Sequence, residues 1–145
     1  MKKALLLLIA VLMPLAAVAE PIAPDRIRVI DGDTIRIDGQ QPDHRLVGFN
    51  APEMRNAETE RERELGGRAT ARLREIVRGG ELDYAEVQCS CRPGSEDSAF
   101  CNFGRKCGIL KSRGEDVGAI LIREGLAVPF ICGPTGCPPA PNPWR

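Results

Sequence analysis

What this 145-residue chain lacks narrows its function first. It has no net charge, with 20 basic and 20 acidic side chains, so it has no general electrostatic coat for a polyanion, and any site for one must be local. Aromatic residues make up only 4%, with one Trp, one Tyr and four Phe. There is a single histidine, His44, which follows a turn and reads as a strand-edge residue rather than a ligand or base. No internal repeat is visible, and the length suits one domain. The one long apolar run, residues 4–18, is interrupted by Pro14 and is too short, with the wrong flanks, for a membrane span.

That run follows Lys2 and Lys3 and ends at Ala17-Val18-Ala19, the pattern of a secretory signal peptide over residues 1–19. Its removal takes two lysines and leaves a slightly acidic protein, expected in the periplasm or outside the cell as a monomer without stable membrane association. Export also governs the reading of Cys89, Cys91, Cys101, Cys107, Cys132 and Cys137, because an even count in an oxidising compartment favours disulfides. A zinc site on the first four competes, but Cys89 and Cys91 enclose only Ser90, tighter than usual zinc spacing. Spacing alone leaves connectivity open. A hairpin reading nests Cys91 with Cys101 inside Cys89 with Cys107, and Cys132 with Cys137 closes a small loop.

Ile27 and Val29 alternate with Arg26 and Arg28, and Ile35 and Ile37 with Thr34 and Arg36, which predicts two half-buried strands around a bend at Asp31-Gly32-Asp33. A third strand is expected over 44–49. Leu65, Ala69, Leu73, Ile76 and Val77 predict an amphipathic helix over 56–78, weakened at Gly66-Gly67 and ended by Gly79-Gly80. Strands over 82–89 and 105–112 and a helix over 117–126 follow. Residues 133–145 carry five prolines and form an irregular tail. Trp144 is expected to dock this tail on the domain. Three strands, a helix, two strands and a helix make a mainly β, α+β chain of the five-stranded OB-fold-like barrel type, over residues 20–132.

Three segments carry the chemistry. They are Val29-Ile30-Asp31-Gly32-Asp33-Thr34, Arg45-Leu46-Val47-Gly48-Phe49-Asn50-Ala51-Pro52-Glu53 and Asn102-Phe103-Gly104-Arg105. Singly they have plainer readings, since Asp-Gly is a common bend and a strand arginine is usually solvated. Together, in this order, they resemble the staphylococcal-nuclease (thermonuclease) family, over residues 26–127. The resemblance implies a calcium-dependent exported nuclease that cuts DNA and RNA with little sequence preference, leaving 3′-phosphates.

Position by position, the resemblance makes Asp33 a calcium carboxylate and puts Asn50 where the family has a second Asp. It makes the Ala51 carbonyl a further ligand and Glu53 the general base. Arg45 and Arg105 become the phosphate arginines. The residue types suit the reaction: arginine pairs with phosphate oxygens, a hard cation takes oxygen ligands, and a carboxylate beside water removes its proton. Asn50 lowers the ligand charge, so weaker calcium binding is expected, with Asp31 compensating. Phe103 and Phe130 are the base-stacking candidates. Two other readings compete: a non-catalytic nucleic-acid-binding OB-type barrel that has lost its metal chemistry at Asn50, and a disulfide-stapled interaction module working through its tail.

Overall fold

The computed structural model describes residues 18–145; most of the expected signal peptide lies outside them. Nine strands and two α-helices are present in this part. They run β1 (Glu20–Ile22), β2 (Ile27–Asp31), β3 (Thr34–Ile37), β4 (His44–Leu46), β5 (Gly48–Asn50), α1 (Glu60–Arg78), β6 (Leu82–Val87), β7 (Lys106–Ser112), β8 (Glu115–Asp116), α2 (Val117–Arg123) and β9 (Val128–Phe130). Seven strands form one mixed sheet in the order β1-β6-β7-β4-β3-β2, with β8 beside β7; β5 and β9 pair separately. The large sheet curls into a half-barrel around the core and the chain is α+β. This architecture is compatible with an OB-like barrel.

Alternation builds the sheet as expected. Ile27, Val29 and Ile35 turn inward, and the β2–β3 register shifts between Val29 and Asp31, where the Asp-Gly-Asp bend falls. The third strand differs from the expectation. It breaks after Leu46, and Gly48, at φ 93°, turns the chain so that β5 leaves the large sheet and pairs with β9. His44 is also not an edge residue. Its strand lies between β3 and β7, the residue is buried, and Nδ1 lies 2.6 Å from Tyr84 Oη.

Helix α1 starts at Glu60, later than the charge pattern suggested. Thr59 caps it, its hydroxyl accepting the Glu62 N–H at 3.1 Å, and the preceding residues form a loop. Ala69, Leu73, Ile76 and Val77 bury the inner face against β2. Cutting Leu73 to alanine there costs about 2–5 kcal/mol. The helix runs unbroken through Gly66-Gly67. Asp116 caps the shorter α2, whose Gly118 lets the Phe49 ring lie against the helix; a Cβ there would overlap that ring.

The disulfides pair as the hairpin reading nests them: Cys89–Cys107, Cys91–Cys101 and Cys132–Cys137. No cysteine stays free, so the four that competed as a zinc site hold one another. The bonds turn the loop between β6 and β7 into a closed, stapled insert. Among the described residues no helix is long and apolar enough to cross a membrane. Three disulfides are compatible with an oxidising compartment such as the periplasm or the extracellular space.

Candidate functional site

An open cleft of about 1450 Å³ gathers residues from all three sequence segments. Its floor is the bend between β2 and β3. Gly32 is required there, because a Cβ would sit 2.7 Å from the Cβ of Ala51 and 3.0 Å from that of Ala69. This close approach sets the bend against the loop that follows β5. Asp33 is 9% exposed, and its carboxylate accepts from the Thr34 hydroxyl (3.1 Å) and the Ala51 N–H (3.0 Å). It is also 3.0 Å from Arg45 Nη1. Burial nevertheless dominates. With Arg45 and the Ala51 N–H pulling the other way and Asp31 adding to burial, the net is an Asp33 carboxyl raised to a pKa of about 6.

Arg45, on β4, is held from several sides. Nη1 donates to the Leu46 carbonyl (2.7 Å), and Nη2 donates to the Phe49 carbonyl (3.1 Å) and to Asn50 Oδ1 (3.0 Å). Arg105 follows the stapled insert and joins the same network, Nη1 donating to Thr34 Oγ1 at 3.4 Å. Its other groups are clamped by Asn102, Nε on the backbone carbonyl (3.1 Å) and Nη2 on Oδ1 (3.0 Å). Burial, then the like charge of Arg45, lowers the Arg105 pKa. Two guanidiniums thus converge on a network that contains one buried carboxylate.

Glu53 lines the cleft from the loop between β5 and α1, exposed at the mouth. Its carboxyl is raised above the usual range, first by partial burial and then by Asp31 and Glu62, with Arg45 and Arg105 opposing. Gly66 holds this loop against the helix: a Cβ there would lie 2.6 Å from the Glu53 carbonyl oxygen. Phe103 is 85% exposed, and the Arg105 guanidinium lies 5.5 Å from its ring centre. Asn102, Phe103 and Gly104 all take positive φ, at 50°, 59° and 75°, which turns the phenyl outward on a tight bend. Phe130, half-buried on β9, and the exposed Phe100 and Ile131 also line the cleft.

The cleft therefore brings together every proposed catalytic, metal and base-stacking residue except Ala51, which meets the site through its N–H on Asp33. Asp33 Oδ2 and Asn50 Oδ1 both lie 3.0 Å from the Arg45 guanidinium, so Arg45 shares the two oxygens that the resemblance assigns to calcium. Among the described residues no group of three His, Cys, Asp or Glu could hold a metal. Sequence reasoning passed over Thr34, which links the two arginines' networks, the clamping role of Asn102, and Glu62. The spacing Thr59-x-x-Glu62, a capping-box signal, marks Glu62 as a residue that reaches back from the helix.

The tail meets the site. Trp144 is 6% exposed, so it docks as expected, and its carbonyl accepts from the Thr59 hydroxyl at 3.3 Å. Neither the models of known protein families nor the curated proteins compared with this chain match it.

Proposed function

We propose that the protein is an exported phosphodiester hydrolase, a monomer acting on DNA and RNA with little sequence preference, on an OB-like barrel of the staphylococcal-nuclease kind. One observation carries this reading: two arginines of like charge lie in one cleft with Glu53, a carboxylate whose pKa is raised by partial burial. A bound phosphodiester relieves the repulsion between Arg45 and Arg105, and their planar donors suit its oxygens. Charge that builds on the phosphate in the transition state meets donors already in place. Glu53 takes a proton from water as the water oxygen bonds to phosphorus. The bond from phosphorus to the leaving oxygen then breaks, and that oxygen takes a proton from solvent. General-base catalysis of this kind is worth ~10²–10⁴-fold. The exposed Phe103 offers a face on which a base stacks. Calcium, implied by the resemblance, would be held by Asp33, Asn50 and the Ala51 carbonyl, and no step is assigned to it.

Digestion of single-stranded DNA by the oxidised mature protein, with calcium or with a chelator, tests the reading. Glu53→Ala and Arg45→Ala should each lower the rate at least ~100-fold. Equal rates in wild type and Glu53→Ala would remove the general-base assignment, whereas no cleavage by wild type would leave the non-catalytic binding barrel. The calcium and chelator arms show whether cleavage depends on the ion.

A further inference from the structure

The tail meets Asn50, which lines the cleft, and the buried Glu62 behind the loop that carries Glu53, in contacts that hydrolysis itself does not explain. The first is Asn50, whose side-chain amide is divided between two partners. Oδ1 accepts from Arg45 Nη2, and Nδ2 donates to the Pro141 carbonyl at 3.0 Å. An amide does both at once, whereas an ionised carboxylate only accepts and would set its charge against the Pro141 carbonyl. This gives Asn50 a reason to be an amide that is unrelated to metal binding.

The second point is Glu62, on the first turn of α1, only 1% exposed and in no ion pair among the described residues. Its carboxylate is held by three N–H donors. Two belong to the loop that carries Glu53, the N–H groups of Glu53 (3.4 Å) and Glu58 (2.8 Å). The third is Asn142 Nδ2 of the tail, at 2.9 Å. Asn142 is fixed in turn, because its Oδ1 accepts the Trp144 N–H at 3.3 Å. A buried carboxylate with so few donors depends on each of them, and losing one loosens its hold on the others.

We propose that the tail segment 138–145 is a working wall of the site, and that Asn50 and Asn142 are positioning residues. Asn50 ties the tail to Arg45. Asn142, through Glu62, ties it to the loop that presents Glu53. The proposal rests on the reading of Arg45 and Glu53 as the groups that meet phosphate and water.

The test uses the full oxidised chain with Asn142→Ala and, as a second route to the same release, Trp144→Ala. Amide hydrogen exchange should quicken on the order of tenfold at Glu53 and Glu58, with Ile35, Leu73 and Leu110 unchanged. In Asn142→Ala the emission of the sole tryptophan should shift to the red, and kcat for single-stranded DNA should fall on the order of tenfold at unchanged KM. Unchanged exchange at Glu53 and Glu58 overturns the proposal, whether or not the emission shifts. Acceleration spread evenly over the core overturns it too. A wild type that cuts no DNA removes the hydrolase reading, while the exchange data still decide whether the tail holds the loop.

Discussion

Gly66 and Gly67 are adjacent in α1, yet alanine should act on them in opposite directions. In a helix interior alanine is favoured over glycine by about 1 kcal/mol. At Gly67 nothing lies within 4 Å of an added Cβ, so Gly67→Ala should gain about that amount. At Gly66 the same atom would meet the Glu53 carbonyl oxygen at 2.6 Å, its carbon at 2.7 Å and the Pro52 carbonyl oxygen at 2.7 Å. All three are backbone, so the loop itself must move. Overpacking of this kind costs about 1–3 kcal/mol, which outweighs the helix gain and leaves Gly66→Ala about 1 kcal/mol less stable than wild type. The two variants should then differ by about 2 kcal/mol in urea denaturation with equal m-values. Because the displaced segment carries Glu53, Gly66→Ala should also lower kcat more than it raises KM, and Gly67→Ala should leave both alone. Equal stabilisation by the two substitutions would refute the close packing of α1 on this loop, and with it the account of how Glu53 is placed.

Asp33 makes a pH-dependent prediction. Its folded-state pKa of about 6 lies above the ordinary 3.8, so the folded state binds the proton more tightly. Stability from this group is fully present below about pH 3.8 and is lost as the pH rises through about 6. The difference in urea midpoint between wild type and Asp33→Asn should therefore fall from pH 4 to pH 7; a flat or rising difference would remove the assignment. A third prediction concerns the staples. Replacing Cys89 and Cys107 together by alanine opens the outer ring and should cost about 3 kcal/mol on thermal unfolding. Cleavage should slow in the same variant at temperatures where it is still folded, because the insert presents Phe103 and Arg105; unchanged kinetics there would separate the staple from the site.

Much of the fold was legible because its signals are local. Period-two alternation around Ile27, Val29 and Ile35 marks β2 and β3, and Ala69, Leu73, Ile76 and Val77 mark the buried face of α1. Cysteine nesting in a hairpin marks the disulfides. The start of α1 was misread because the alternating charges before Thr59 mimic a solvated helix face, whereas the cap at Thr59 decides the boundary. The burial of His44 is not legible locally because it depends on Tyr84, 40 residues away. The same limit applies at the site. The three segments predict which residues share the cleft, but not that Arg45 folds back on Leu46, Phe49 and Asn50. Nor does any periodicity announce that Pro141 and Asn142 meet Asn50 and Glu62, at separations of 91 and 80 residues.

Those separations also carry a consequence for timing. A chain made from its N-terminus at about 5–20 residues per second presents Asn50 and Glu62 long before residues 141–144 exist. The half-barrel waits as well, since β4 pairs in parallel with β7, joining His44–Leu46 to Lys106–Gly108. Until residue 142 has emerged, Glu62 lacks one of its three donors and Arg45 lacks the strut behind Asn50. Synthesis therefore precedes a finished cleft, and the contacts made by residues 141–144 are the last parts of the site to form.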